Sequence, residues 1–218
     1  MAELDGPRWG PASKAAPRQL VVLCHGLGAD GHDLIDLAPS WGHALPDALF
    51  VSVNAPFVHD SGFGRQWWSV ADRSPPIMQA GARRAAGCLG PFIDAELARD
   101  GLAADAYALM GFSQGAMTVL FTGLRHVPPP RAILAFSGAL VAPETLPAEL
   151  TGRPPVLLVH GEADDVVPVS RSHDAEAALR AADVPVDATY IPRLGHGIDD
   201  TGISLGGLFL QRAFASGA

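Results

Sequence analysis

Residues 107–115 read Tyr107-Ala108-Leu109-Met110-Gly111-Phe112-Ser113-Gln114-Gly115, and the reading of this stretch decides the fold. An apolar run from Tyr107 to Met110 leads into a G-x-S-x-G pattern. Ala116, Met117, Leu120, Phe121 and Leu124 leave it at helical spacing. Strand, sharp turn and helix in that order lift a serine hydroxyl above the end of a sheet. Glycine at 111 and 115 removes side chains where the strand and helix backbones converge. The backbone N–H of Gln114 then lies at the helix start, beside any charge that forms on a carbonyl oxygen attacked by Ser113.

The pattern alone is weak, because Gly202-Ile203-Ser204-Leu205-Gly206 matches it equally well. No strand precedes Ser204, and Leu205, Leu208, Phe209 and Phe214 continue as a terminal helix. Ser204 is read as structural and Ser113 as the candidate nucleophile.

Outward from this turn, short apolar runs alternate with helix-length segments. Leu20–Cys24, Leu49–Val53, Tyr107–Met110, Ala132–Phe136 and Val156–Val159 read as buried strands. Val186–Ile191 alternates with Asp187 and Thr189, as a half-exposed strand nearer an edge does, and Gly6–Pro11 could add an antiparallel edge piece. Helical patterns occupy residues 31–44, 78–99, 114–125, 169–182 and 202–214. This alternation predicts an α/β chain with a mostly parallel central sheet flanked by helices on both faces. One domain, residues 1–218, is the natural count at this length. The 19 residues between Phe136 and Val156 are too few for a separate cap domain, so the catalytic face is expected to be open. Residues 55–77 form a longer excursion carrying Phe57, Phe63, Trp67 and Trp68, read as a wall of a substrate groove.

A net charge of −8 argues against nucleic acid as a partner, since phosphate contacts need clustered Lys and Arg. The tight basic pair Arg83-Arg84 reads as a solvated helix face. Cys24 and Cys88 are too few for a disulfide framework and read as small buried hydrophobes. Met1–Gly10 lacks the apolar core of a signal peptide, and no apolar run approaches the ~20 residues needed to span a bilayer. A cytoplasmic protein without integral membrane association is the expectation. An aromatic-lined open groove could pair two copies as a homodimer. No basic amphipathic helix supports contact with a membrane surface.

A serine hydroxyl needs a base within hydrogen-bond reach and an acid to orient that base. Of the downstream histidines, His126 precedes any suitable acid, His160 ends a strand, and His173 falls within a helical pattern. His196 lies in the glycine-flanked Leu194-Gly195-His196-Gly197, after the last strand and before the final helix, and is the candidate base. The acid must come from the loop after the Val156 strand, where Glu162, Asp164 and Asp165 compete. Spacing alone does not separate Asp164 from Asp165. Gln114 offers one N–H to an oxyanion. Cys24-His25-Gly26-Leu27-Gly28 offers a second through the main chain of Leu27, with His25 as a loop brace. Asp30, His32 and Asp33 lead into a helix with no matching ligand pair, so no metal is assigned.

Together these segments resemble the bacterial phospholipase/carboxylesterase family of the α/β-hydrolase fold, which includes acyl-protein thioesterases. The resemblance runs from about residue 18 to residue 214. It rests on His25–Asp33, Arg65–Trp68, Gly111–Gly115, His160–Pro168 and Gly195–Gly197, in that order. The family's acid motif, H-G-x-x-D-x-x-V-P, falls on Asp164. Asp165 stands where many relatives carry proline, and Trp67-Trp68-Ser69 replaces an aromatic segment that often reads Trp-Phe-Asp. The resemblance implies a carboxylesterase, lysophospholipase or acyl thioesterase that cleaves small-molecule or acyl esters or thioesters and needs no cofactor. Ser113, His196 and Asp164 would form its triad, with Leu27 and Gln114 at the oxyanion. A triad does not define its leaving group, so peptide or lactone hydrolysis is one alternative, and a non-catalytic ligand-binding relative is another.

Overall fold

The computed structural model describes residues 4–215, so the first three residues of the expected domain and its last three lie outside the described residues. In chain order the strands are β1 (Arg8–Trp9), β2 (Gln19–Cys24), β3 (Ala48–Val53), β4 (Phe57–Val58) and β5 (Arg65–Gln66). They continue as β6 (Tyr107–Phe112), β7 (Ala132–Phe136), β8 (Val156–Gly161) and β9 (Val186–Ile191). The helices are α1 (His32–Ile35), α2 (Ala38–Gly42), α3 (Pro75–Arg99), α4 (Gln114–Gly123), α5 (Leu146–Glu149), α6 (Ser170–Ala181) and α7 (Asp200–Ala215).

Seven strands form one sheet in the order β1-β3-β2-β6-β7-β8-β9, while β4 and β5 pair as a separate hairpin. All neighbours in the large sheet are parallel except β1 against β3. The 6–11 edge piece is therefore present, as two paired residues. After β2 the chain moves outward to β3, then crosses back to β6 on the other side of β2. In an open α/β sheet such a reversal leaves a crevice at the carboxyl ends of the two central strands. Leu27 follows β2 and Ser113 follows β6, so both lie at that crevice.

The strands are buried on both faces, and alternate residues feed two cores. Leu20, Val22 and Cys24 of β2 join Ala85, Leu89 and Ile93 of α3 and Val119 and Leu120 of α4. Val21 and Leu23 face Leu34, Trp41, Phe209 and Leu210, which belong to α1, α2 and α7. β9 is an edge strand and only partly buried, as its alternation predicts.

The single helix read over 31–44 is two short ones. Pro39 is the second residue of α2, and inside a longer helix its ring would clash with the carbonyl of Ile35. The 202–206 segment lies within α7, with Ser204 exposed. Trp41 packs against this helix and donates its indole N–H to the Ile203 carbonyl at 2.8 Å. A Cβ on Gly206 would sit 2.8 Å from the Trp41 ring, so glycine there serves packing. The Arg83-Arg84 pair is engaged: Arg83 pairs with Glu149, and the Arg84 guanidinium lies 4.2 Å from the centre of the Phe57 ring.

Candidate active site

The turn at Ser113 is strained in the way the strand–turn–helix reading requires. Ser113 has φ 55° and ψ −118°, outside the regions a serine ordinarily occupies. The strain is held from several sides. The Ser113 N–H donates to the Phe136 carbonyl at 2.9 Å, and a Cβ on Gly115 would sit 1.9 Å from the Cys24 carbonyl oxygen. Gly111 and Gly115 therefore let β6, α4 and the end of β2 meet in one place.

Asp164 and His196 are brought together from loops 32 residues apart: His196 Nδ1 donates to Asp164 Oδ2 at 2.7 Å. The two loops approach closely because Gly161 carries no side chain; a Cβ there would sit 2.2 Å from the Leu194 carbonyl oxygen. The N–H groups of Val166 and Val167 both donate to Asp164 Oδ1, at 2.9 and 2.8 Å. Burial pushes the Asp164 carboxyl up. The hydrogen bond from His196 and the N–H groups of Val167 and Val166 outweigh it and hold the group below its usual value. Asp164 is buried, whereas Glu162 and Asp165 are exposed. Burial thus separates the carboxylates that spacing left level.

Ser113 and His196 line one cavity of about 630 Å³, although no direct hydrogen bond joins Oγ to the imidazole. Such bonds are often loose before a substrate is bound. The Phe112 ring packs against His196 with centroids 4.8 Å apart. Leu27 and Gln114 border the same cavity. Gln114 opens α4, so its backbone N–H has no partner within the helix. The Leu27 N–H makes no hydrogen bond among the described residues. The loop around Leu27 is pinned from the β4–β5 hairpin: Gly28 N–H donates to the Arg65 carbonyl and Arg65 N–H to the Ala29 carbonyl, each at 2.8 Å.

His25 braces the base of that loop. Its Nδ1 lies 2.7 Å from the Gly26 carbonyl, and its Nε2 accepts the Ala55 N–H at 3.0 Å. A carbonyl only accepts, so Nδ1 carries the proton. Burial lowers the pKa of this imidazole and keeps it neutral. Burial likewise pushes the Cys24 thiol up, so no thiolate competes at this crevice.

The 55–77 excursion does border the cavity, through Val70, Arg73 and Pro75, but its four aromatics do not, which corrects the residues expected in that wall. Phe57 lies under Arg84, and Phe63 projects from the hairpin with 83% of its surface exposed. Trp67 and Trp68 are buried, at 0% and 4% exposure, because their indoles pack inward against the core. Trp67 Nε1 donates to the His25 carbonyl at 3.0 Å. The Gln114 side chain completes the tie, accepting the Trp67 N–H at 2.9 Å and donating to the Trp68 carbonyl at 2.8 Å. These residues join the excursion to the loops that carry Leu27 and Ser113. Trp67→Phe keeps most of the ring but leaves the buried His25 carbonyl without its donor. It is expected to cost about 2 kcal/mol of stability in urea unfolding; a change under about 0.5 kcal/mol would remove this bracing role.

The apolar walls come from Val70, Met78, Met117, Leu140 and Val141, none of which the sequence marks as lining a groove. Met117 carried a signal, since it stands one helical turn after Ser113. Leu140 and Val141 carried none, because the segment after β7 has no periodicity. That segment runs through a 3₁₀ turn at Pro143–Thr145 into α5, and forms a wall without a separate cap. Glu149 anchors it through Arg83 and through Arg125 Nε at 2.6 Å, which hold its carboxyl down at about 2. No three His, Cys, Asp or Glu side chains converge on a metal-sized site among the described residues; Asp30 instead accepts the His32 N–H at 2.8 Å. No helix among the described residues is long and apolar enough to cross a membrane.

Comparison with known proteins places this geometry in context. Residues 11–211 match the family model described as phospholipase/carboxylesterase. The chain is 32% identical over 187 residues to esterase YpfH of Escherichia coli K12, spanning 84% of this chain and 78% of that one. It is also 32% identical to acyl-protein thioesterase 1 of Schizosaccharomyces pombe, over 68% of this chain and 69% of the relative. The crystal structure of esterase PE8 superimposes with a TM-score of 0.91 at 42% identity, covering 97% of this chain and 99% of the other.

Proposed function

The chain belongs to the phospholipase/carboxylesterase family, and we propose that it is a serine hydrolase of carboxylic esters or thioesters that works through Ser113, His196 and Asp164. The observation that carries the reading is the 2.7 Å Asp164–His196 bond, beside a strained Ser113 on the same cavity.

Ser113 Oγ attacks the acyl carbonyl while His196 Nε2 takes its proton. Asp164 fixes the imidazole with Nδ1 protonated, which leaves Nε2 free to accept, and it stabilises the imidazolium that forms. The Leu27 and Gln114 N–H groups receive the developing oxyanion; the loss of one such donor costs about 2.7–4 kcal/mol in comparable sites. His196 returns the proton to the leaving alcohol or thiol, and an acyl group remains on Ser113. Water, deprotonated by His196, then attacks the acyl-enzyme, releases the acid and restores the hydroxyl. The apolar walls at Val70, Met78, Met117, Leu140 and Val141 suit an acyl chain, and the cavity volume lies within the usual range for small-molecule sites.

Two measurements test the assignment. An alkyl fluorophosphonate is expected to release fluoride and leave one phosphonyl group on Ser113, located by peptide mass spectrometry. p-Nitrophenyl esters from acetate to palmitate are expected to be turned over, with the chain-length optimum reporting how deep the acyl wall reaches. Absence of label at Ser113, together with no turnover of any ester or of an acyl thioester, would overturn the reading.

A further inference from the structure

His160 was set aside as a base because it ends β8, yet it lies directly beneath the acid. Its side chain is fully buried, and Nε2 stands 3.1 Å from Asp164 Oδ2 and 2.8 Å from the Val167 carbonyl oxygen. On the other side of the ring, Nδ1 stands 2.6 Å from Ser172 Oγ, whose residue is also buried. A backbone carbonyl can only accept, so Nε2 carries the proton. Nδ1 of the neutral ring then accepts the Ser172 hydroxyl proton. The Gly138 carbonyl, 3.5 Å from Ser172 Oγ, is the weaker second acceptor.

We propose that His160 is a positioning residue: its Nε2–H, donated to the Val167 carbonyl with Nε2 3.1 Å from Asp164 Oδ2, holds the acid loop in register and moderates the basicity of His196. The proposal rests on reading Asp164 and His196 as acid and base. Oδ1 already takes the Val166 and Val167 N–H groups, so the carboxylate is held at both oxygens and cannot turn. Oδ2, the oxygen that His196 Nδ1 bonds, also has His160 Nε2 3.1 Å away. An N–H dipole that close offsets part of the carboxylate charge, so the His160 proton weakens the hold of Asp164 on the His196 imidazolium. Ser172, as donor to Nδ1, reinforces the tautomer that the Val167 carbonyl already selects.

Besides Asp164, the charged residues next to His196 in the chain are Arg193 and Asp199 on its own loop and Asp200 at the start of α7, with Arg193 and Asp200 exposed. Asp33, Arg73, Glu144 and Arg171 border the cavity as exposed side chains, Glu162 and Asp165 are exposed on the acid loop, and the neighbouring Phe112 ring is uncharged. His160 is therefore the polar side chain best placed to tune the pair from the interior.

The first test uses the unaltered protein. Nitrogen-15 NMR of the imidazoles, followed from about pH 5 to 9, is expected to show the proton of the neutral His160 ring on Nε2. A neutral ring protonated at Nδ1 would overturn the proposal. The same titration reads the His196 pKa without any need for turnover, and is repeated on His160→Gln and His160→Leu. Glutamine can still donate toward Asp164 and accept from Ser172, and is expected to keep the wild-type value. Leucine is expected to raise the His196 pKa, and with it the acid limb of kcat/KM, by about half a pH unit. It is also expected to lower kcat about tenfold as the loop loosens. A purely structural His160 predicts the opposite sign, because a displaced Asp164 would let the His196 pKa fall; a fall or no change overturns the proposal. Loss of the Ser113 assignment would appear separately, as ester turnover that survives Ser113→Ala.

Discussion

Ser113→Ala is expected to lower kcat for ester hydrolysis by at least about 10⁴-fold while the protein stays folded. The two halves of this result have separate causes. Ser113 Oγ makes no hydrogen bond among the described residues, so its removal leaves no buried partner unsatisfied. Alanine is no larger than serine, and the strained φ of 55° is imposed by the surrounding contacts, so the turn itself is unchanged. Thermal unfolding is therefore expected within about 2 °C of the parent. The chemistry, by contrast, has no second serine, threonine or cysteine bordering the cavity among the described residues. Cys24 is buried with its thiol held protonated, and Ser204 lies exposed on α7, away from the crevice. Residual turnover should be limited to what the oxyanion donors and the pocket confer on attack by water. Activity within tenfold of the parent would remove Ser113 from the mechanism.

Asp164→Asn is expected to have an effect of the same order, about 10⁴-fold in kcat, through a different route. The carboxylate accepts from three donors, His196 Nδ1 and the N–H groups of Val166 and Val167, with His160 Nε2 3.1 Å from Oδ2. An asparagine amide has one oxygen and one NH₂ to offer those three. If its oxygen stays with the two backbone N–H groups, its NH₂ faces His196 and drives the proton to Nε2, where it can no longer take one from Ser113. If it turns round, two buried N–H groups lose their acceptor, at about 1–3 kcal/mol each. Either way one function of the carboxylate is lost. Asp165→Asn is the control: that side chain is exposed, and a change of less than about threefold in kcat is expected. Equal losses at both positions would remove the distinction that burial draws between them.

The order of elements was legible in the sequence because the physics that sets it is local. Tyr107–Met110 is apolar without alternation, which is how a strand covered on both faces reads. Glycines at 111 and 115 mark where backbones must touch. The glycine-flanked His196 after the last strand likewise announced a loop at the sheet edge. Where the expectation failed, the cause was local too: Pro39 splits the helix expected over 31–44.

The chain's own letters thus determined a mostly parallel sheet, a serine at its central turn, and the short lists from which a base and an acid had to come. Periodicity over a few residues reports which faces are apolar, and turn residues report where the chain must bend. Tertiary structure decided what those lists could not. Residue types alone leave Asp164 and Asp165 interchangeable; only the closure of the acid loop on Gly161 and Leu194 buries one and leaves the other in water. Trp67 and Trp68 are amphipathic enough to line a groove or to brace a loop. Both rings pack into the core, and hydrogen bonds to Gln114 and His25, more than 40 residues away in one direction or the other, fix the Trp67 indole and the main chain of the pair. The contacts of His160 tie the end of β8 to α6 through Ser172 and to the acid loop through the Val167 carbonyl, and they form only where those elements pack together. Contacts of that kind leave no period in a sequence, because they depend on where distant elements pack and not on what each residue prefers.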